Sequence, residues 1–167
     1  MKSKAFVIVF ACVFLITAAT PAFADKSSPN LRKAWPRICK ALNSGDPVTM
    51  AGIFAQDAVM IASGEPEPIK GRAAVLQYYK HILQGVPDLG FKTDSIHYAG
   101  HTIIVEFVCS GTNSGTWAGP DGDIQPTGKH FNTPLAMFLK ITPEGLIAEN
   151  RIYYDTLDHM KQLGMVK

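Results

Sequence analysis

Residues 131–141 read Phe131-Asn132-Thr133-Pro134-Leu135-Ala136-Met137-Phe138-Leu139-Lys140-Ile141, and their alternation decides the fold. With Lys140 turned to solvent, Phe131, Thr133, Leu135, Met137 and Leu139 share the opposite face. That is the period-two pattern of a strand with one buried side. The same alternation puts His130 on the outer face. Residues 146–154 follow after Pro143-Glu144-Gly145, a tight turn that argues for antiparallel neighbours. Upstream, residues 91–99 and 102–110 are also rich in β-branched and aromatic side chains and meet at Gly100. Four strands are therefore expected in the second half, with a glycine-rich link over residues 111–128 between the second and third. Residues 155–163 read as a short closing helix.

The first half has a different period. Leu31, Trp35, Ile38 and Leu42 fall at helical spacing, with Pro36 expected to kink that helix or push its start downstream. Ser44-Gly45 closes it. Asp46-Pro47 then supplies an N-cap and a proline at the first helical position of a second helix, whose apolar side is Met50, Ile53 and Phe54. Residues 58–62 read as a short strand and residues 64–71 as a loop. Residues 73–84 form a third helix carrying Leu76, Tyr79 and Leu83 on one side. Helices followed by a meander of strands give an α+β architecture, N-terminal helices packed on a curved, mostly antiparallel sheet. Such a sheet wrapped around helices leaves a cone-shaped apolar cavity.

The chain begins with Lys2 and Lys4, an apolar run from Ala5 to Ala19, and Pro21-Ala22-Phe23-Ala24. Small residues at positions 22 and 24 fit a cleavable secretion signal over residues 1–24, and the run falls short of the roughly 20 residues of a membrane span. The expected product is exported, periplasmic or secreted, without a stable membrane anchor. It has a flexible leader over residues 25–29 and one domain over residues 30–167. The chain has 16 basic and 14 acidic residues, and Lys2 and Lys4 leave with the signal, so the mature chain is formally neutral. It has no block of like charge, which gives no reason to expect nucleic acid as a partner. Export permits a disulfide between Cys39 and Cys109, and their apolar surroundings equally suit buried free thiols.

Six segments carry a family resemblance: Phe54-Ala55-Gln56-Asp57-Ala58-Val59, Gly71-Arg72-Ala73-Ala74, Gly111-Thr112-Asn113-Ser114-Gly115, Pro126-Thr127-Gly128-Lys129, Tyr153-Tyr154-Asp155 and Gln162-Leu163-Gly164. In that order and spacing the chain resembles the SnoaL-like polyketide cyclases of the nuclear-transport-factor-2-like superfamily, over roughly residues 42–164. The resemblance implies a cone-shaped pocket, a small hydrophobic ligand and a homodimer paired across the sheet. The fold hosts isomerases, cyclases, dehydratases and inactive binding modules, so it does not fix the activity.

Chemistry in such a pocket is proton transfer beside a carbonyl, with a base raised or lowered toward working pH and a donor for the enolate oxygen. By the resemblance, the cyclase's catalytic aspartate falls on Ile152, its neighbouring histidine on Asn150 and its glycine-flanked histidine on Asn113. Neither isoleucine nor asparagine is a base. The remaining candidates are Asp155 as base and Asn113 as polar partner, with Asp155 alternatively the N-cap of the last helix. Tyr79, Trp117, Phe131, Met137, Ile152 and Tyr154 are the candidate lining, Trp117 as a lid or a loop anchor. Glu106 is read on the outer face, with a buried base as the alternative. No cofactor or metal is expected: His81, His97, His101, His130 and His159 lack zinc-type spacing, and no phosphate-binding loop or Gly-x-Ser-x-Gly motif occurs. Two functions remain open, an isomerase, cyclase or dehydratase and a non-catalytic binding module.

Overall fold

The computed structural model describes residues 29–119 and 122–166; the expected signal and most of the leader lie outside the described residues. The first helix, α1 (Pro29–Leu42), buries Leu31, Ala34, Trp35, Ile38, Ala41 and Leu42 along one stripe. Pro36 lies inside α1 on its exposed side, and the helix begins upstream of it rather than downstream. A missing backbone hydrogen bond there is offset by the burial of the residues on both sides.

The next helix, α2 (Pro47–Gly52), starts as its sequence dictates. The Asp46 carboxylate accepts from the backbone N–H of Val48 and Thr49, and those bonds hold it below the usual carboxylate range. The helix stops at Gly52, so Phe54 does not belong to it: Phe54 opens strand β1 (Phe54–Ala62), which is longer than residues 58–62. Its pairing with the last strand is interrupted between Phe54 and Val59, and Gln56 and Asp57 are exposed across that irregularity. The interruption hides the period from the sequence.

Strand β2 (Ile69–Lys70) and helix α3 (Arg72–Gly85) follow, and then β3 (Gly90–Ala99) and β4 (Thr102–Thr112). The glycine-rich link holds the end of β4 and a small hairpin, β5 (Trp117–Gly119) with β6 (Gly122–Ile124). Strands β7 (His130–Ile141) and β8 (Ile147–Tyr154) and helix α4 (Thr156–Gln162) complete the chain. The main sheet has the order β2-β1-β8-β7-β4-β3. Its neighbours are antiparallel except β1 and β8, which run parallel.

Burial along β7 follows the expected alternation. Phe131, Thr133, Met137 and Leu139 are buried, Leu135 is half-buried, and His130, Phe138 and Lys140 are exposed. Pairing of β4 with β7 is continuous from Thr102–Lys140 to Thr112–His130, which sets Ile103, Val105 and Phe107 on the same inner face. That face packs against α1, α2 and α3 in one core. A second, smaller cluster of Val86, Phe131 and Leu163 joins α4 to the far end of α3 and β7. Glu106 is exposed on the outer face, where its carboxylate accepts from the Ser95 hydroxyl at 2.7 Å. Both described cysteines are free thiols. No helix of the described residues is long and apolar enough to cross a membrane.

Candidate functional site

Between the two clusters the sheet and helices leave a cavity of about 100 Å³. Helix α3 contributes Tyr78, Tyr79 and Ile82 to its wall and Val86 follows just past its end, β7 contributes Phe131, Thr133, Leu135 and Met137, and β8 contributes Ile152 and Tyr154. Leu89 lines it just ahead of β3, Phe91 from β3, Cys109 from β4, His159 from α4, and Glu65 from the loop after β1. The walls are mostly apolar, yet several polar groups converge on them.

His159 is the group best suited to chemistry. Helix α4 folds back on β7, where the Gln162 side chain grips the edge: its Oε1 accepts from the Asn132 N–H at 2.7 Å and its Nε2 donates to the Asn132 carbonyl at 3.2 Å. One turn earlier, His159 Nδ1 stands 2.8 Å from Thr133 Oγ1. The ring lies edge-on to Phe131 and Tyr154, with centroids 4.6 and 5.6 Å away. Burial pushes its pKa below the ordinary 6.5, so the ring is neutral at pH 7.

Tyr79 is 3 % exposed, and its hydroxyl, buried in the same wall, has no hydrogen-bond partner. Burial raises the pKa of Tyr78, Tyr79 and Tyr154, so all three are donors at neutral pH. The Cys109 thiol is pushed up to about 12 by burial and is not a thiolate. Among the described residues no three His, Cys, Asp or Glu side chains gather as metal ligands. The arrangement thus sets a neutral imidazole on the cavity wall and an unpartnered phenol buried within that wall.

The sequence model of the SnoaL-like domain matches residues 36–150. The chain belongs to the SnoaL-like domain family. Its fold is the nuclear-transport-factor-2-like cone. A protein assigned to the SnoaL-like polyketide cyclases from Jannaschia sp. CCS1 superimposes with a TM-score of 0.69 at 15 % identity, over 84 % of this chain and 97 % of that one. A protein assigned as a polyketide cyclase from Streptomyces antibioticus, IdmH, gives 0.65 at 24 % identity, over 80 % and 97 %. One assigned as an isomerase from Bacillus subtilis gives 0.64 at 20 % identity, over 82 % and 94 %. Among curated proteins no sequence relative matches.

Of the residues singled out from the sequence, this SnoaL-like domain gathers Tyr79, Phe131, Met137, Ile152 and Tyr154 around the cavity. Trp117 lies in β5, and its side chain is outside the described residues. Asp155 and Asn113 are not among the lining residues. Asp155 is exposed and caps α4, accepting from the Asp158 N–H at 2.9 Å. Asn113 is fully buried and its amide is committed to the backbone: Nδ2 donates to the carbonyls of Gly85 and Gly115, and Oδ1 accepts from the Thr127 N–H at 2.9 Å. Asn150 is buried on β8 with its Oδ1 unpartnered, but it too lies outside the cavity wall. The sequence does not single out His159 for the site, because it lacks zinc-type spacing and sits in no catalytic motif. Its spacing held a signal: His159 and Leu163 are four apart, so a helix that buries Leu163 turns His159 to the same side.

Proposed function

We propose that this SnoaL-like domain is an exported enzyme of the isomerase, cyclase or dehydratase kind, acting on a small hydrophobic carbonyl compound. The observation that carries the reading is His159, a half-buried neutral imidazole held by Thr133 on the wall of a cavity behind which the unpartnered Tyr79 hydroxyl is buried. A cavity for passive binding needs no such pair, and a buried hydroxyl without a partner is costly to keep.

In the proposed mechanism, His159 Nδ1–H donates to Thr133 Oγ1, the tautomer that puts the basic lone pair on Nε2. That nitrogen takes a proton from the carbon beside the substrate carbonyl. The electron pair moves onto the carbonyl oxygen, and the Tyr79 O–H donates to the enolate. The His159 imidazolium then returns its proton: to the far carbon of a dienolate it gives isomerisation, and to a departing β-hydroxyl, which leaves as water, it gives dehydration; attack of the enolate carbon on a second carbonyl, whose oxygen takes the proton, gives cyclisation. Ile152, Met137 and Phe131 shape the apolar body of the ligand.

The test is solvent deuterium wash-in beside the carbonyl of small cyclic ketones and enones, followed by NMR. Wild-type protein should accelerate exchange for at least one of them, and His159→Gln should remove the acceleration. Ligands that bind without any catalysed exchange would leave a binding module instead. A homodimer is part of the proposal, because the outer face of the sheet exposes Phe138 (38 %) and Tyr153 (47 %), whose rings meet edge-on at 5.9 Å.

A further inference from the structure

The cavity wall holds more aromatic surface than an aliphatic ligand needs, and its electrostatics are one-sided. Five rings line it: Tyr78, Tyr79, Phe91, Phe131 and Tyr154. Tyr78 and Tyr79 meet edge-on at 5.6 Å, and Tyr154 reaches the mouth, where its hydroxyl would stand 3.0 Å from a Cβ on Gly64. The next residue, Glu65, is the only carboxylate among the described lining residues, and no lysine or arginine joins it.

The adjoining loop and the first turn of α4 carry the same sign, while the last turn of α4 carries Lys161. Glu67 follows in the same loop, and that loop packs on the start of α4, where Thr156 Cγ2 lies 3.5 Å from a Cβ position on Gly64. The first turn of α4 brings Asp155 and Asp158. Glu65, Glu67 and Asp155 are exposed and, among the described residues, in no ion pair. The charge of Glu65 is felt inside, since it contributes to the raised pKa of both Tyr78 and Tyr154. The neutral His159 adds no positive charge to oppose a cation.

We infer that the pocket selects a cationic amphiphile, a compound whose apolar part fills the cavity while a quaternary or protonated tertiary ammonium lies against the tyrosine faces beside Glu65. The inference rests on the ligand pocket proposed above and names the charge class of its occupant. Aromatic faces carry a negative quadrupole that attracts such a head, more strongly where water is excluded. A fixed carboxylate at the rim adds a salt-dependent attraction and disfavours carboxylate-bearing competitors.

The experiment compares choline with 3,3-dimethylbutan-1-ol, its neutral isostere, by isothermal titration of the purified protein at low ionic strength. Choline should bind at least tenfold more tightly, and added salt should narrow the gap. Glu65→Gln should shrink the ratio to about threefold or less while moving the affinity for the alcohol far less. Tyr154→Leu should weaken choline more than the alcohol. Equal affinities in wild type, or an unchanged ratio in Glu65→Gln, would overturn the inference and leave the pocket reading intact. Binding of neither probe would overturn both.

Discussion

Tyr79→Phe separates a catalytic hydroxyl from a packing one, because the two roles predict opposite changes. The Tyr79 ring packs against Phe54 at 6.2 Å and Tyr78 at 5.6 Å, and phenylalanine keeps both contacts. What the substitution removes is a hydroxyl that is buried and unpartnered. An unsatisfied buried polar group costs about 1–3 kcal/mol, so the variant should be more stable by up to that amount. For a chain of this size that is a rise in Tm of roughly 2–4 °C per kcal/mol. Turnover should move the other way: loss of one preorganised donor typically lowers kcat by about 10²–10³. The measurements are denaturant unfolding and the deuterium wash-in rate on the same protein preparations. A Tyr79→Phe protein that loses stability would show that the hydroxyl has a partner in the folded chain. A more stable variant with full turnover would show that the hydroxyl never meets the developing oxyanion. Either result refutes the reasoning.

Because burial favours the neutral His159 ring, the unfolded chain takes up a proton at higher pH than the folded one. The contribution of this group to stability is fully present above 6.5 and is lost as pH falls through 6.5 toward the lower folded value. The acid limb of kcat/KM should therefore lie below 6.5, and His159→Gln should remove it together with roughly 10²–10⁴ of turnover; a limb at or above 6.5 contradicts this. Asp155→Asn should be nearly silent in melting and turnover, whereas Asp155→Ala should cost about 0.5–2 kcal/mol as a lost cap. An inactive but folded Asp155→Asn protein would return that residue to the mechanism. Light scattering at micromolar concentration should give about twice the monomer mass, with Phe138→Glu shifting it to monomer; a monomeric wild type would end the dimer proposal. Mass spectrometry of the exported protein should find Asp25 at the N-terminus, and an intact Met1 would contradict the processing.

The fold was legible wherever one face of an element is buried and the other is wet. Phe131 to Lys140 alternates because β7 has the core on one side only, and Asp46-Pro47 starts α2 because the cap is local chemistry. Phe54 was misplaced because an apolar residue after a short helix reads the same in either period, and only the pairing Phe54–Ile147 decides it. The segments behind the family resemblance are likewise structural. A Cβ on Gly115 would lie 1.9 Å from the Gln84 carbonyl oxygen and one on Gly111 2.3 Å from Val86 Cγ1, so α3 can end against this stretch only if both are glycine. Asn113 ties the same stretch to Thr127, Arg72 Nε donates to the Phe54 carbonyl at 2.7 Å, and Gln162 clamps β7. Such residues mark the scaffold strongly and the chemistry hardly at all.

The site itself depends on contacts that no local pattern encodes. His159 meets Thr133 across 26 positions of sequence, through the return of α4 onto β7. The strand position that the cyclase resemblance assigns to an acid is Ile152, and it does face the cavity, as an apolar wall. Removing a carboxylate from that position lowers the cost of burying an uncharged ligand body there. It also leaves His159 without a buried anion to raise its pKa, which suits an imidazole that must be unprotonated at neutral pH. His159 on α4 and Tyr79 on α3 line the cavity from the helical layer, whereas position 152 lines it from the sheet. An aspartate introduced there would push the His159 pKa upward, against the neutral ring that burial favours.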